Sequence, residues 1–393
     1  MKKAIWLFAG GPMQEITART IKEMGYLLII TDQNKDCVCG PLADEIVALN
    51  TFDVEGNIQQ IPALTSKFEI KAVLTAAADC HFTVNVIAAK LNLVGIDPEI
   101  SKICRNKHLS RTILREAGVR QPRSESHSDF EQAREFVRRN NMKEFVVKAT
   151  DNSGSRGFHA IRNPEEFTKT IFDDAVGNGS TGLAIIEDLL IPIEDGVAEL
   201  SVETIWYNGK MYFLNWVDRL FRNDLTLFNL GGLSSYEIPW AVELGHINPS
   251  QHTIEVKNQI INEIQLAGRA IGYDKIQHPA ILKADIMITQ KGPVILELTP
   301  RLSGGWDSSL SSRLRGSDFV GGLIKTALGQ QLDLNMWYKH FQFRDCDRKV
   351  VVLSAFNFKP KDCTGRSFTF GSEYNLQKAF NIALENLNKN KFI

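Results

Sequence analysis

Residues 283–305 of this 393-residue chain, KADIMITQKGPVILELTPRLSGG, constrain its fold more than any other segment. Apolar and polar residues alternate on both sides of Lys291, which is the pattern of a β-hairpin with one buried face. Pairing the two strands about Lys291 brings apolar residues opposite one another. The apolar pairs are Ala284 with Leu298, Ile286 with Leu296, and Ile288 with Val294. The sequence therefore predicts an antiparallel hairpin whose apolar face joins the core.

The other face of this hairpin carries opposed polar residues. Asp285 faces Glu297, and Lys283 faces Thr299. Directly opposed side chains have Cβ atoms about 5 Å apart, so the two carboxylates repel each other unless a cation lies between them. One interpretation is a solvated face neutralised by Lys283 or Arg301. The other is a site for a hard divalent cation, Mg²⁺ or Mn²⁺, which prefers oxygen ligands and substrate phosphates.

The residues that follow the hairpin favour the metal interpretation. Pro300 ends the strand, Arg301 follows it, and Ser303-Gly304-Gly305 forms a small flexible turn. An arginine and a glycine-rich turn beside paired carboxylates suit the binding of a phosphoryl group in transfer.

The first hundred residues alternate between apolar strands and helices. Strands are predicted at 4–8, 27–31 and 72–76, and helices at 14–24 and 83–91. A β-α-β-α order is typical of a doubly wound parallel sheet.

The remainder of the chain mixes helices, hairpins and isolated strands. Ser128 and Glu131 suggest a capping box, and Asn163-Pro164 suggests a second helix start. Helices are predicted at 106–117, 251–271, 319–328 and 376–387, and one more runs from the capping box at Ser128 to about Asn140. Strands are predicted at 144–149, 158–161, 183–187, 199–207, 211–217, 281–298 (a hairpin) and 350–356. This order predicts an α+β architecture after the first α/β domain.

The composition excludes several classes of partner. Lys and Arg number 45 and Asp and Glu 46, so the net charge of −1 disfavours nucleic acids and anionic membranes. No apolar stretch approaches the roughly 20 residues of a membrane helix, and the first apolar run, at 4–9, is too short for a signal peptide. The six cysteines lack zinc-site spacing, so we expect free thiols and a cytoplasmic location.

Two lysines and a loop of small residues, earlier in the chain, add to the pattern found in the hairpin. Lys107 opens the segment NKHLSRTILREAGVRQP, and Lys148 precedes the glycine-containing loop in FVVKATDNSGSRG. With the hairpin, these motifs resemble the ATP-grasp superfamily, specifically its carboxylate–amine ligases and the related domains of biotin carboxylase and carbamoyl phosphate synthase. The resemblance implies a Rossmann-like pre-ATP-grasp domain followed by a two-lobed ATP-grasp fold. The expected divisions are 1–105, 106–190 (small lobe), 191–335 (large lobe) and 336–393, the last packing on the large lobe.

The resemblance implies an ATP site. Lys107 and Lys148 would contact the phosphates, and a loop containing Ser153, Gly154, Ser155 and Gly157 would close over them. Glu187, Leu189 and Leu190 match the adenine-binding hinge. Glu199 would hold the ribose, with Glu194 as the alternative. Met287 would contact the adenine, although a core methionine fits the pattern equally well.

The resemblance also implies a metal and substrate site. Asp285, Glu297 and Thr299 match the metal-binding positions. Thr299 stands where the family has asparagine, and a hydroxyl is a weaker neutral ligand than an amide oxygen. The number of bound metal ions, one or two, therefore stays open. Arg301 and Lys148 match catalytic cations, and Ser303, Gly304 and Gly305 match the lining of the substrate pocket.

The implied function is an ATP-dependent ligase that activates a carboxylate as an acyl phosphate and joins it to an amine. A carboxylase-like enzyme that uses bicarbonate and a nucleotide-binding module without catalysis are the alternatives. The expected partners are small molecules, and a homodimer interface on the N-terminal strands stays open. Further candidates for substrate binding are His246, Arg219, Arg222, Arg313 and Arg315.

Overall fold

The computed structural model describes residues 1–152, 156–228, 242–358 and 367–392. These residues form a mixed α/β protein with a parallel sheet near the N-terminus and two antiparallel sheets after it. No helix within the described ranges is long and apolar enough to cross a membrane.

The N-terminal sheet is parallel, as the alternation of strands and helices predicts. Its four strands in the described chain have the order β3-β2-β1-β4. They are β1 (Lys2–Phe8), β2 (Leu27–Thr31), β3 (Glu45–Val47) and β4 (Phe68–Leu74). The helices of this region are α1 (Glu15–Glu23), α2 (Val54–Lys67), α3 (His81–Lys90) and α4 (Pro98–Arg105). Both faces of β1 are buried, which explains why its sequence is a continuous apolar run.

The second sheet is antiparallel and has the order β5-β8-β6-β7 in the described residues. Its strands are β5 (Ser124–His127), β6 (Phe145–Ala149), β7 (His159–Ile161) and β8 (Ala184–Asp188). Helices α5 (Lys107–Glu116), α6 (Phe130–Arg139) and α7 (Lys169–Gly177) belong to this lobe. Aromatic side chains from α6, α7 and β6 fill the core between them.

Two helix starts in this lobe differ from the prediction. The side chain that caps α6 is Asp129, which accepts from Gln132 N at 3.0 Å, so the capping box at Ser128 is wrong by one residue. Asn163 caps only a short 3-10 turn, and α7 begins later, behind Thr168. Sequence pattern locates helix ends poorly because neighbouring Ser, Thr, Asp and Asn all suit a cap.

The third sheet is the largest, with the order β13-β12-β9-β10-β11-β14-β15 in the described chain. Its strands are β9 (Glu199–Tyr207), β10 (Lys210–Leu220), β11 (Gly245–Asn248), β12 (Ala280–Thr289), β13 (Gly292–Thr299), β14 (Lys349–Leu353) and β15 (Thr369–Glu373). The accompanying helices are α8 (Ile254–Ala270), α9 (Ser312–Leu314), α10 (Phe319–Ala327), α11 (Leu334–Met336), α12 (Ala355–Phe358) and α13 (Leu376–Asn388). Helix α8 covers the apolar face of β9 and β12 with Ile260, Ile264 and Ala267.

Some elements of the two antiparallel sheets differ from the prediction. The strand predicted at 350–356 ends at Leu353, and the chain turns into α12. Strands β5, β11 and β15 were not predicted. Each is only four or five residues long, and β11 is buried throughout, so none shows the alternation on which the prediction depends.

The hairpin β12–β13 confirms the predicted pairing at its open end. Lys283 pairs with Thr299, Ala284 with Leu298, and Asp285 with Glu297. A β-bulge after Asp285 then shifts the register by one residue, which the sequence pattern did not predict. The predicted pairs of Ile286 with Leu296 and Ile288 with Val294 are therefore wrong. The observed pairs are Ile286 with Ile295, Met287 with Val294, and Ile288 with Pro293.

Candidate active site

Asp285 and Glu297 are directly opposed at the open end of the hairpin. Asp285 is buried, and its Oδ2 accepts from Lys283 Nζ at 2.5 Å. Arg219, from β10, places Nη1 3.5 Å from Asp285 Oδ1. Burial alone would raise the pKa of Asp285, but Lys283 and Arg219 outweigh it and hold that pKa below its usual value. Asp285 is therefore a carboxylate kept ionised by protein cations.

Glu297 is more accessible than Asp285, with about a third of its side chain exposed. Lys107 Nζ lies 3.7 Å from Glu297 Oε1 and donates to Asn152 O at 2.7 Å. Lys107 is the first residue of α5, which Asn106 caps by accepting from Leu109 N. The helix start thus positions a cation between the hairpin and the beginning of the 153–157 loop.

Lys148 belongs to a buried charge cluster in the small lobe. Its Nζ lies 2.6 Å from Glu187 Oε2, and Arg111 Nε donates to Glu187 Oε1 at 2.6 Å. Burial would raise the pKa of Glu187, but Arg111 and Lys148 hold it far below its usual range. Burial lowers the pKa of Lys148 although Glu187 opposes this. The side chain of Glu187 therefore orients two cations, while its backbone lies in β8 between β5 and β6.

Arg111 also joins the two lobes. Its guanidinium donates to Ile295 O at 3.1 Å and to Leu296 O at 3.0 Å on β13. Sequence reasoning missed this residue. Its spacing of four from Lys107 places it on the same helix face, which was the available signal.

The predicted hinge begins at Glu187, within the last two residues of β8, and continues through Leu189 and Leu190 beyond the strand. Asp188 N donates to Arg123 O at 3.0 Å, and Leu189 N donates to Glu144 O at 3.3 Å. Both leucines that follow Asp188 are only partly buried. The hinge segment is therefore held at Asp188 and Leu189, and Leu190 is the next residue along it.

Glu199 opens β9 and lies beside Met287 in the register of β9 and β12. Arg219 lies 3.7 Å from Glu199 Oε2 and 2.8 Å from Glu243 Oε2. Burial raises the pKa of Glu199 to about 7, although Arg219 opposes this. The alternative ribose residue, Glu194, is exposed.

Met287 is half-buried and lies on the acidic face of the hairpin. It pairs with Val294 across the bulge rather than packing in the core cluster that contains Ile286 and Leu298. Its position adjoins Glu199 and is two residues from Asp285 on the same strand face.

Arg301 connects the hairpin to the N-terminal domain. The residue is 7% exposed, its Nη2 forms a short hydrogen bond to Asp79 Oδ1, and its Nη1 donates to Leu302 O at 2.6 Å. Its Nε has no hydrogen-bond partner among the described residues. The arginine thus lies where the loop after β4 meets the end of β13.

The turn of Ser303, Gly304 and Gly305 is held by a buried carboxylate. Glu203 Oε1 accepts from Ser303 N at 2.9 Å, and Ser303 Oγ lies 2.8 Å from Ser201 Oγ. Gly305 N donates to Met13 Sδ at 3.4 Å. The turn therefore lies against the N-terminal domain, and Glu203 is a positioning residue that sequence reasoning missed.

The loop predicted to cover the phosphates is described only in part. Ser153, Gly154 and Ser155 lie outside the described residues. Gly157 has a φ of 65°, and a Cβ added there would lie 2.7 Å from Asn178 Cβ. Only glycine suits that backbone without strain.

A cavity of about 270 Å³ lies between the N-terminal domain, the small lobe and the hairpin. Three residues on its wall bind predicted site cations: Glu297 and Asn152 contact Lys107, and Asp79 contacts Arg301. The lining residues are Phe52, Asp79, His81, Arg105, Asp151, Asn152, Arg156, Asn178, Gly179, Ser180, Glu297 and Thr299.

The oxygen atoms of the hairpin side chains suit a hard cation whose remaining ligands are phosphate oxygens. Within the described residues, no group of three or more His, Cys, Asp or Glu side chains is placed to hold a metal ion. Asp285 Oδ1 is buried without a hydrogen-bond partner there, and Glu297 and Thr299 face the cavity. Two carboxylates and a hydroxyl suit Mg²⁺ when phosphate oxygens complete its coordination.

Some of the other residues proposed from the sequence lie at the acidic face, and others lie elsewhere in the fold. Arg219 belongs to the acidic face through Asp285 and Glu243. His246 pairs with Arg219 in the register of β10 and β11 and is fully buried. Arg315 donates to Asn248 Oδ1 at 2.7 Å and serves the scaffold, whereas Arg222 and Arg313 are exposed.

Relatives and solved structures match this architecture. One relative, the uncharacterized protein y4rH of Sinorhizobium fredii, is 26% identical over 294 residues; the match covers 74% of this chain and 56% of that protein. The L-amino acid ligase of Bacillus licheniformis has a TM-score of 0.72 at 16% identity, covering 99% of this chain and 97% of that one. The biotin carboxylase domain of Hydrogenobacter thermophilus 2-oxoglutarate carboxylase, solved with MgADP and bicarbonate, has a TM-score of 0.69 at 17% identity, covering 90% and 74%.

These structural likenesses show the fold alone, and the chain spans little more than half of the y4rH protein. The family is shown by a sequence match. Residues 105–304, just over half of the chain, match the model of the phosphoribosylglycinamide synthetase ATP-grasp (A) domain. The chain therefore belongs to the ATP-grasp carboxylate–amine ligase superfamily.

Proposed function

We propose that this protein is an ATP-dependent ligase that phosphorylates a substrate carboxylate and transfers the resulting acyl group to an amine. One observation carries the proposal. The cavity between the domains is bounded by Glu297, Asn152 and Asp79, and each of these contacts Lys107 or Arg301. Anionic and cationic groups from three regions of the chain thus meet at one space of molecular size.

The proposed nucleotide site runs from the hinge to this cavity. Leu189 N–H is already bonded to Glu144 O, so Leu190 is the proposed backbone donor to the adenine edge. Met287 would cover the adenine, and Glu199 would accept from the ribose hydroxyls. The phosphates would then reach the two lysines, with the loop around Gly157 above them.

Neither of the two chemical steps needs a nucleophile from the protein. A carboxylate oxygen attacks the γ-phosphorus of ATP, the bond to the β–γ bridging oxygen breaks, and ADP leaves. The amine then attacks the carbonyl carbon of the acyl phosphate, loses a proton and expels inorganic phosphate. Lys107, Lys148 and Arg301 would neutralise charge on the transferring phosphoryl oxygens, which is the main catalytic need in such transfers.

Proximity of the two substrates and exclusion of water would also favour formation of the amide. Holding the acyl phosphate beside the amine favours the second step, and a closed loop protects the intermediate from hydrolysis. A divalent cation bound by Asp285, Glu297 and Thr299 would supply Lewis-acid stabilisation of the phosphate oxygens.

The test is ADP release over a matrix of carboxylates and amines, with mass detection of the product. The proposal predicts ADP release that depends on both substrates and an amide of matching mass. ADP release that requires bicarbonate and no amine would support a carboxylase-like reaction instead. Binding of ATP with no turnover in any combination would support a nucleotide-binding module without catalysis.

A further inference from the structure

Lys283 is a buried lysine on the acidic face of the hairpin. It is 6% exposed and is directly opposite Thr299 on β13 and Glu203 on β9. Its Nζ is 2.5 Å from Asp285 Oδ2. Only 8% of its side chain is exposed, and Asp285 holds its ammonium away from solvent.

The cavity reaches only one of the two carboxylates. Glu297 and Thr299 are on its wall, whereas Asp285 is absent from the lining residues of the described chain. Lys283 and Arg219 occupy the space around Asp285, at 2.5 and 3.5 Å from its oxygens. An incoming ion therefore meets the acidic pair from the side of Glu297.

The contacts of the acidic pair also favour one divalent ion. Asp285 and Glu297 are the acids of the pair, and Thr299 contributes only a neutral hydroxyl. Asp285 already interacts with two protein cations, and Lys107 lies 3.7 Å from Glu297. A second divalent ion at Asp285 would have to displace the Lys283 ammonium from Oδ2, whereas an ion at Glu297 leaves that contact intact.

We propose that this site binds a single divalent cation with the nucleotide, on the Glu297 side, and that the Lys283 ammonium supplies the second positive charge. Lys283 contacts Oδ2 of Asp285 and leaves Oδ1 for the ion; Oδ1 is buried without a hydrogen-bond partner among the described residues and lies 3.5 Å from Arg219 Nη1. The inference rests on the proposed nucleotide site, and it assigns to Lys283 a role beside the phosphates.

The first experiment counts metal ions on the unmodified protein. The full chain is dialysed to equilibrium against Mn²⁺ and the non-hydrolysable nucleotide AMP-PNP, and both bound Mn²⁺ and bound nucleotide are measured. We expect one bound Mn²⁺ per bound nucleotide and the electron paramagnetic resonance spectrum of an isolated ion. Two bound ions, or a spin-coupled pair, would overturn this inference alone. Absence of nucleotide binding would overturn the proposed function and this inference with it.

Variants then test Lys283 directly. Lys283→Met removes the ammonium and keeps the apolar stem, and Thr299→Asn adds an amide oxygen. The double variant should bind a second Mn²⁺ and show the coupled spectrum, whereas Lys283→Arg should keep a single ion. Lys291→Met, in the exposed turn of the same hairpin, is the matched control. A double variant that folds, by circular dichroism, and still binds one ion would refute the role of Lys283. If the double variant does not fold, Lys283→Met with Thr299 unchanged is counted in its place, and a single ion there would refute the role as well.

Discussion

Lys107 Nζ lies 3.7 Å from Glu297 Oε1, so the first residue of α5 reaches the second strand of the acidic hairpin. The two residues come from different lobes, and the cavity lies beside their contact. A ligand that bridges the lobes at this point would meet a cation and a carboxylate together, which is the arrangement that metal-bound phosphates require.

Loss of both hairpin carboxylates should abolish ADP formation. The double variant Asp285→Asn with Glu297→Gln removes the acidic oxygen ligands while preserving side-chain shape. We expect ADP release to fall by at least about 10²-fold, the scale typical for loss of transition-state charge stabilisation. Glu255→Gln, at an exposed acid in the first turn of α8, is the control and should retain activity. Substantial turnover by the double variant would remove these carboxylates from the site.

Arg301 and its partner Asp79 should be separable by kinetics. Arg301→Lys keeps the charge but loses the planar guanidinium, so we expect about a 10²-fold fall in kcat. Asp79→Asn keeps Arg301 in place and should change kcat much less. Equal losses in the two variants, measured by steady-state ADP release, would mean that Arg301 acts by holding the domains together.

The buried cluster of Lys148 and Glu187 should show coupling in stability. Lys148→Met and Glu187→Gln should each lower the free energy of unfolding by about 1–3 kcal/mol, since each leaves a buried polar group short of a partner. The double variant should lose less than the sum of the two, as measured by urea denaturation. Lys169→Met, which breaks an exposed pair with Asp173, should stay within about 0.5 kcal/mol of the unmodified protein. Full additivity of the double variant would argue against a direct interaction.

Glu199 should make stability depend on pH in a defined direction. Its pKa is raised from 4.5 to about 7 in the folded protein. As pH rises through this window the unfolded chain ionises first, so the folded state loses stability, and the loss is complete above the folded pKa. Glu199→Gln removes this loss, so its stability relative to the unmodified protein should increase from pH 4.5 to about 7. Thermal unfolding of the variant and of the unmodified protein at several pH values measures this difference.

Gly157 should be needed for the closing of the loop over the phosphates. Gly157→Ala places a Cβ in a left-handed backbone and 2.7 Å from Asn178 Cβ, so the loop must shift. We expect a raised KM for ATP with little change in global stability. Gly177→Ala, where a Cβ meets nothing within 4 Å, is the matched control and should bind ATP normally. An unchanged KM in Gly157→Ala would remove this residue from the nucleotide site.

Local periodicity determined much of the fold. The alternation in the hairpin placed Asp285 opposite Glu297, and strands such as Leu27–Thr31 and Glu199–Tyr207 appear with the predicted ends. These features depend on side-chain alternation and turn residues within one segment, which a sequence displays directly. The β-bulge after Asp285 escaped prediction because apolar residues on both sides of it fit either register.

The partners of the site residues were decided only by the tertiary structure. Arg219 reaches Asp285 because the strand order leaves only β9 between β10 and β12. Arg301 meets Asp79, 222 positions away in the sequence, because the loop after β4 packs against the end of β13. The sequence by itself thus determined which residues carry charge on one face of the hairpin. The packing of distant strands and domains decided which charges neutralise one another, because electrostatic interactions depend on distance in space and on burial rather than on distance along the chain.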